Sequence, residues 1–294
     1  MKSLSLGDKI FTVFNYTLMA AITLCILYPL YFIVVASFSD PNIVNRGGIL
    51  FLPERLYTEG YAKIFDYKPL WTGYLNSIIY TLCGTLVNLV FTLTGAYALS
   101  RKDLVGRKPI MLLFIFTMFF SGGLIPSYLL INKLGIMDTM WALILPAAAS
   151  VWNIIITRTF FQSTIPDELL EAAVMDGCSD FKFFLSIVLP LSKVIVAVMA
   201  LFYGIGHWNS FFEPLIYITS DDKFPLQVIL RNLLITNEVG NEMLSDAMSM
   251  AERQRIAEQL KYGVIVASCL PLLTVYPFLQ KYFTQGVMIG SIKG

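Results

Sequence analysis

The chain has 294 residues, of which 56% are hydrophobic and 14% are charged, whereas an ordinary soluble domain has about 25% charged residues. This excess of apolar residues excludes a water-soluble globular domain. The net charge of +1, without a long basic run interleaved with aromatic residues, argues against a nucleic-acid-binding protein.

Apolar stretches recur along the chain, and each is long enough to cross a hydrocarbon layer of about 30 Å. Backbone polar groups in such a layer must be satisfied within the segment, and the stretches are too uniformly apolar for the alternating strands of a membrane barrel. The sequence therefore predicts an all-α membrane protein with six transmembrane helices. In chain order, the predicted spans cover residues 11–38, 73–100, 109–131, 140–161, 191–219 and 262–283.

The first predicted span follows Lys2 and Lys9, a pattern that resembles the start of a secretory signal peptide. Its apolar run, residues 11–38, is much longer than the apolar region of about 7–15 residues in a cleavable signal. We therefore expect this segment to remain in the mature protein as a span.

Positive charges in the short loops predict the orientation of the spans. The loop between spans two and three contains four cations: Arg101, Lys102, Arg107 and Lys108. The loop between spans three and four has only Lys133. Since short cytoplasmic loops carry the excess of Lys and Arg, the first loop is predicted to be cytoplasmic. Both termini and residues 162–190 then lie inside, and the long loops 39–72 and 220–261 lie outside.

The predicted inner segment, residues 162–190, begins with the pattern of a short helix. Thr164 can supply a capping hydroxyl, Pro166 suits a first helical turn, and two acids follow near the positive helix end. The helix is expected to run to about Asp176, and Gly177 suits a left-handed helix end.

A second short helix is predicted directly after this turn. Ser179 and Asp180 can cap its start, and it is expected to end at Pro190, where span five begins. The two helices together predict a helix-turn-helix between spans four and five, at the inner face of the membrane.

Residues at fixed spacing in this segment form the most specific motif of the sequence. The motif reads E-A-A, three residues, G, nine residues, I, one residue and L-P, and its members are Glu171, Ala172, Ala173, Gly177, Ile187, Leu189 and Pro190. It resembles the signature loop of the permease subunits of binding-protein-dependent ABC importers. The alternative is an interfacial amphipathic hairpin that only caps the helix bundle.

The resemblance implies that residues 162–190 form a coupling helix-turn-helix, which seats in a cleft of an ATPase subunit. Glu171 would then meet a basic group of the ATPase, while the small side chains of Ala172 and Ala173 would permit close approach. Asp176 precedes the glycine as it does in this loop of the family. A rigid double turn could transmit a movement of the ATPase subunit directly to span five.

Further residues resemble the carbohydrate branch of this family, and in particular the second maltose-type permease subunit. The matching segments are Phe160-Phe161, Ile165-Pro166, Leu169, residues 208–212 and 214–217, Tyr282-Phe283, Gln285-Gly286 and the final residues 290–294. The opening of the chain resembles a subgroup associated with complex oligosaccharides. The resemblance implies a sugar or oligosaccharide as the cargo, with uronate-containing sugars as one expected kind.

Three polar residues in the outer half of span five, His207, Asn209 and Glu213, are candidates for a substrate path. Ionisable groups at membrane depth usually face a bundle interior or a water-filled cavity. His207 and Asn209 are two residues apart and point in different directions around a helix, so both cannot line one narrow stripe. The alternatives are contact with a neighbouring span and, for Glu213, simple solvation among the lipid headgroups.

No G-x-x-x-x-G-K-[ST] phosphate loop occurs in the sequence, so the chain is expected to be non-catalytic and to hold no cofactor. The resemblance implies a second homologous permease subunit, two ATP-binding cassette ATPase subunits that bind ATP and Mg, and an extracellular solute-binding protein. The outer loop 220–261, in which residues 242–260 have a helix-like composition, would contact that binding protein. The implied location is the bacterial cytoplasmic membrane.

Two other functions remain open at this point. One is an ABC importer permease for a non-sugar solute such as an amino acid, phosphate or a metal. The other is an ion-coupled secondary transporter, which would have an inverted repeat, broken spans at matching places and a membrane-buried acid. The sequence shows no such repeat, and Glu213 is the only acid within a predicted span.

Overall fold

A computed structural model describes residues 5–45, 51–53, 56, 58–236, 260–271, 273, 274 and 277. The described residues form helices and turns, without a strand among them. The helices are α1 (Leu6–Phe38), α2 (Pro41–Asn45), α3 (Glu59–Asp66), α4 (Lys68–Ser100), α5 (Arg107–Phe119), α6 (Leu124–Lys133), α7 (Trp141–Ile144), α8 (Val151–Thr164), α9 (Asp167–Met175), α10 (Asp180–Leu191), α11 (Lys193–Trp208), α12 (Phe212–Tyr217), α13 (Leu226–Arg231) and α14 (Leu260–Pro271). The all-α prediction is confirmed for this part of the chain.

Two helices, α1 and α4, are long and apolar enough to cross a membrane, with 33 residues each. At about 1.5 Å per residue, each is longer than the hydrocarbon layer is thick. Two bent pairs, α5 with α6 and α10 with α11, meet the same test as pairs. The described residues therefore contain two candidate spans, or four if each bent pair is one span. Only the first part of the sixth predicted span is described, as the shorter helix α14.

The third predicted span, residues 109–131, is not a single helix. Helices α5 and α6 meet at an angle of 111° around residues 120–123. Gly123 has φ +85° and ψ 177°, a conformation open to glycine and incompatible with a continuing helix. Pro126 lies in the first turn of α6, where its missing N–H costs nothing.

Spans four and five, predicted at residues 140–161 and 191–219, are also interrupted. Non-helical residues 145–150 separate α7 from α8, and residues 209–211 separate α11 from α12. A proline ring clashes with the carbonyl four residues earlier in a helix, so Pro146 and Pro214 each prevent a continuous helix at these places.

The described part of the loop predicted at residues 39–72 contains α2, α3 and the first turn of α4. In the other outer loop, 220–261, the described part includes α13. Residues 237–259, which contain most of the expected outer helix, lie outside the described residues, as do residues 278–294 with the C-terminal motifs.

The chain divides into two units, and the first comprises residues 1–68 and 230–271. In its described part, the end of α1 packs its buried Val35 and Ala36 against Val44. The Tyr61 hydroxyl donates to Ser37 Oγ over 2.8 Å. The rest of α1 is almost entirely exposed and apolar, as expected for a helix that faces lipid.

The second unit comprises residues 69–229 and 272–294, and in its described part α4 has an inverted pattern of polarity. Large apolar side chains such as Leu82, Leu86 and Phe91 are exposed. The buried face is richer in small and polar residues at helical spacing, namely Leu70, Gly73, Ser77, Gly84, Asn88, Thr92, Leu93, Ala96 and Leu99. Small residues permit close helix approach and polar ones bond across helices, which is how membrane helices associate.

Asn88 is the centre of this buried face, with 0% of its surface exposed. Its Oδ1 lies 2.6 Å from Nε2 of His207 on α11, and its Nδ2 donates to the carbonyl of Ala147 between α7 and α8. One turn further along α4, the hydroxyls of Thr92 and Tyr203 are 2.6 Å apart. Asn88 therefore connects α4 to two other elements through one side chain.

We expect Asn88→Ala to lower the free energy of unfolding by about 1–2 kcal/mol, because it leaves His207 and the Ala147 carbonyl without their partner. The midpoint of thermal unfolding in detergent should fall by about 2–4 °C. The matched control is Thr94→Ala on the same helix, since Thr94 is exposed and bonds only within α4. Equal midpoints for both variants would show that the junction does not stabilise the fold.

Candidate functional site

The motif residues of the segment 162–190 lie on two helices joined by a tight turn. We call α9, the turn and α10 the signature hairpin. Helix α9 begins at Asp167 with Pro166 as its N-cap residue and without a side-chain cap. The predicted capping role of Thr164 is wrong, because α8 continues through Thr164.

The turn of the signature hairpin is closed by backbone hydrogen bonds. Gly177 has φ +71°, which confirms the expected left-handed helix end. Its N–H donates to the Val174 carbonyl over 3.0 Å, and the N–H of Cys178 donates to the Ala173 carbonyl over 2.9 Å. This is the Schellman arrangement, in which both bonds satisfy carbonyls at the helix end. A side chain at position 177 would be strained there.

The second helix starts where it was predicted, since Ser179 Oγ accepts a hydrogen bond from the Lys182 N–H. It does not stop at Pro190 but runs to Leu191. Its middle, Phe184–Val188, is a π-type segment, and such wider turns accommodate a proline that cannot donate. Beyond Ser192 the chain bends by 83° into α11.

The motif side chains divide into an outward set and an inward set. Glu171, Ala172, Asp176, Gly177 and Pro190 are exposed. Ala173 is only 7% exposed and packs in the hydrophobic core of this unit. The expectation that both alanines face another protein is therefore wrong for Ala173. Ile187 and Leu189 are half-buried against the same core.

Glu171 lies at a cleft of about 740 Å³ between α9 and the end of α4 at Ser100. Among the residues that the structure describes, its carboxylate has no hydrogen-bond or ion-pair partner. An unpaired carboxylate beside the exposed Ala172 leaves α9 with a free acidic contact point.

Two adjacent cations after α4 hold the starts of both hairpin helices. Lys102 forms an ion pair with Asp167, the first residue of α9. Arg101 lies 3.4 Å from Asp180, the first residue of α10. We call these two contacts the cation clasp. From the sequence these cations indicate only which loop is cytoplasmic, because their partners are more than 60 residues away.

Arg101 is the stronger member of the clasp. Its guanidinium also donates two bonds of 2.9 Å to Asp103, and only 15% of its side chain is exposed. The bond to Asp103 raises the pKa of Arg101, and the bond from Arg101 lowers the pKa of Asp103. The pair of Lys102 and Asp167 is exposed and screened by solvent, although the bond to Asp167 raises the pKa of Lys102.

A second polar cluster, around Asp138, is connected to the first half of α4. Its carboxylate accepts bonds from the N–H groups of Thr219 and Ser220 at 2.9 Å and from Lys223 Nζ at 2.6 Å. The Lys223 contact, followed by Ser220, holds the pKa of Asp138 well below its usual range. A lowered carboxyl pKa adds stability at neutral pH that is lost in acid. Tyr80 of α4 donates to the Lys223 carbonyl over 2.9 Å.

The three substrate-path candidates have different environments. His207 is half-buried and bonds Asn88, which matches the alternative of contact with a neighbouring span. Asn209 is exposed, and its Nδ2 donates to the Ile205 carbonyl of its own helix over 3.0 Å. Glu213 is exposed in the first turn of α12 and lines a cleft of about 330 Å³. The structure therefore does not bring the three side chains into one site.

The chain is similar over almost its whole length to membrane permeases. It is 40% identical over 283 residues to the polygalacturonan/rhamnogalacturonan transport system permease protein YtcP of Bacillus subtilis, covering 96% of this chain and 97% of that protein. It is 30% identical over 284 residues to the arabinooligosaccharides transport system permease protein AraQ of Halalkalibacterium halodurans, covering 94% of each. No family model matches the chain.

A solved structure gives the same result for the fold. It is a crystal structure of a bacterial ABC transporter involved in the import of the acidic polysaccharide alginate. One of its chains matches with a TM-score of 0.86 and 33% identity, over 96% of this chain and 100% of that chain.

We expect Arg101→Gln to loosen the signature hairpin, because it removes the charge that holds Asp180. The contact is an ion pair of 3.4 Å with an exposed carboxylate, and such pairs contribute about 0–1 kcal/mol, so amide exchange in α9 and α10 should become up to about fivefold faster. Hydrogen–deuterium exchange read by mass spectrometry measures this effect. Lys108→Gln, an exposed cation of the same loop, is the control and should leave the exchange rates unchanged. Unchanged exchange in the Arg101 variant would contradict the clasp.

Proposed function

Because the chain belongs to the membrane-spanning permease subunits of ABC transport systems, we propose that it forms half of the translocation path of a bacterial importer for a sugar or oligosaccharide. Both relatives and the solved transporter described above are named for polymeric or oligomeric sugars, which supports this cargo class. The ion-coupled secondary transporter considered from the sequence is a different family.

The proposed assembly contains a second homologous permease subunit, two ATP-binding cassette ATPase subunits and an extracellular solute-binding protein. ATP and Mg would be bound by the ATPase subunits. This chain would cross the cytoplasmic membrane six times with both termini in the cytoplasm, and each bent helix pair would count as one span. The signature hairpin would lie inside, and the Asp138 cluster would lie outside, at the base of the loop that meets the binding protein.

The coupling proposal rests on the carboxylate of Glu171, which has no partner among the described residues and lies on a rigid helix. Its neighbour Ala172 is exposed, so another protein surface can come close to α9. The Schellman turn and the cation clasp hold α9 and α10 as one body. Glu171 would bind a basic group in the ATPase cleft, and Asp176 and Gly177 would lie at the edge of that contact.

The signature hairpin is connected directly to α11, a proposed membrane helix. Helix α10 contains Ile187, Leu189 and Pro190 and continues through the bend at Ser192 into α11. Helix α11 is joined to α4 through His207 and Asn88. Closure of the ATPase pair on ATP would thus move α11 together with α4 and open the path outward. The nucleotide must favour one arrangement, since a ligand with equal affinity for both states shifts neither.

Among the path candidates, the surroundings of Glu213 support a role in the path best. His207 would act indirectly, by fixing α11 against α4, and Asn209 would end α11 beside the break.

In the complex reconstituted with its partners, Glu171→Ala should reduce sugar-stimulated ATP hydrolysis and sugar uptake by at least tenfold. The reason is that the variant lacks the carboxylate that would bind the basic group in the ATPase cleft. The control is Glu168→Ala, an exposed acid on the same helix outside the motif, which should retain most of both activities. Equal activity of both variants and the native complex would mean that Glu171 does not couple the subunits.

A further inference from the structure

We propose that the cleft beside Glu213 is a binding subsite for one sugar ring, which Glu213 holds by its hydroxyl groups. The inference rests on the proposed function and adds a place and a chemistry for cargo contact. The cleft has a volume of about 330 Å³ and lies where two broken helices meet.

Two helix breaks lie beside this cleft. Residues 120–123 separate α5 from α6, residues 209–211 separate α11 from α12, and both breaks adjoin this cleft. Irregular backbone at membrane depth is tolerated only where it is buried in protein or lines a water-filled cavity. Ser121, Gly123 and Phe211 are exposed in this chain, so in the membrane the breaks must be covered by another protein or line a water-filled cavity, and the carboxylate of Glu213 beside them favours the cavity.

The carboxylate of Glu213 has hydrogen-bond acceptor positions that the described residues do not fill. One of its oxygens accepts a bond of 3.0 Å from the Ser210 hydroxyl. A carboxylate offers about four acceptor positions, and bonds from hydroxyls to a charged oxygen are about twice as strong as neutral ones. Two neighbouring hydroxyls of a sugar ring can use these positions.

The lining of the cleft combines polar groups with an aromatic ring, as a sugar-binding site requires. Ser121, Ser127 and Glu213 supply polar groups, and the exposed Phe212 supplies a ring for the apolar face of a sugar. Among the residues that the structure describes, no lysine or arginine lines the cleft, so a uronate carboxylate would meet only another negative charge. The subsite therefore takes hydroxyl groups, and in an acidic sugar the carboxylate must point away from it.

The volume limits the ligand to one ring. Small-molecule sites usually have about 300–1,000 Å³, and this cleft is at the lower end of that range. A whole oligosaccharide would pass the subsite one ring at a time, with weak binding at each step.

The first test is uptake of labelled cargo by proteoliposomes that contain the complete complex, at one fixed concentration of loaded binding protein. We expect Glu213→Ala to reduce the initial rate at least tenfold and Glu213→Gln to reduce it less. Asp66→Ala, which removes an exposed acid of α3, is the control and should transport at the native rate. If the Glu213→Ala rate equals that of the control, the subsite is wrong while the proposed function stands. If the native complex takes up no sugar, the proposed function itself fails.

The second test does not depend on the fold tolerating a change at Glu213. Ser127→Cys is placed in a chain whose four native cysteines are replaced by alanine, and the membrane-impermeant reagent sulfonatoethyl methanethiosulfonate is applied from outside. Labelling should occur and should slow at least fivefold while the complex turns over with saturating sugar. A cysteine that the reagent never reaches places the cleft against lipid or the second permease, and unprotected labelling places the sugar elsewhere. Either result overturns the subsite.

Discussion

The hydrogen bonds of Asn88 are the interaction on which the arrangement of the second unit depends. Lipid tails are as apolar as the exposed leucines of α4, so no hydrophobic force drives α4 against its neighbours. The buried face instead uses small residues for close approach and polar residues for direction. Asn88 bonds both His207 and the Ala147 carbonyl, and it thereby sets the position of α11 and of the turn before α8. Breaking this junction frees two elements at once.

The same helix is bonded to other segments at two levels. Directly after it, Arg101 and Lys102 hold the starts of α9 and α10, and in its first half Tyr80 bonds the segment fixed by Asp138. A movement of the signature hairpin therefore acts on α4 as well as on α11. The proposed sugar subsite lies where α11 ends, so a tilt of α11 would change its access.

Local rules predicted much of the signature hairpin. The glycine after an acid-rich first helix indicated a left-handed end, and Gly177 adopts it; Ser179 caps the next helix as expected. The non-helical residues inside the spans were not predicted, because hydropathy reports transfer into lipid and carries no backbone geometry, although Gly122-Gly123 and Pro214 were the available signals. The burial of Ala173 and the cation clasp depend on distant partners, which one sequence does not pair. Likewise, polarity alone could not separate the packed His207 from the exposed Glu213.

The most direct test of the account is chemical cross-linking of the signature hairpin to the ATPase subunit. Ala172→Cys, in a chain without its native cysteines, is labelled with benzophenone maleimide and irradiated in the assembled complex, so that the benzophenone inserts into a C–H bond of whatever protein lies against α9. We expect a covalent adduct between this chain and the ATPase subunit, with a yield that changes with bound nucleotide. A cysteine that reacts with free maleimide but gives no ATPase adduct in any nucleotide state would contradict the placement of α9 in the ATPase cleft, and with it the coupling mechanism.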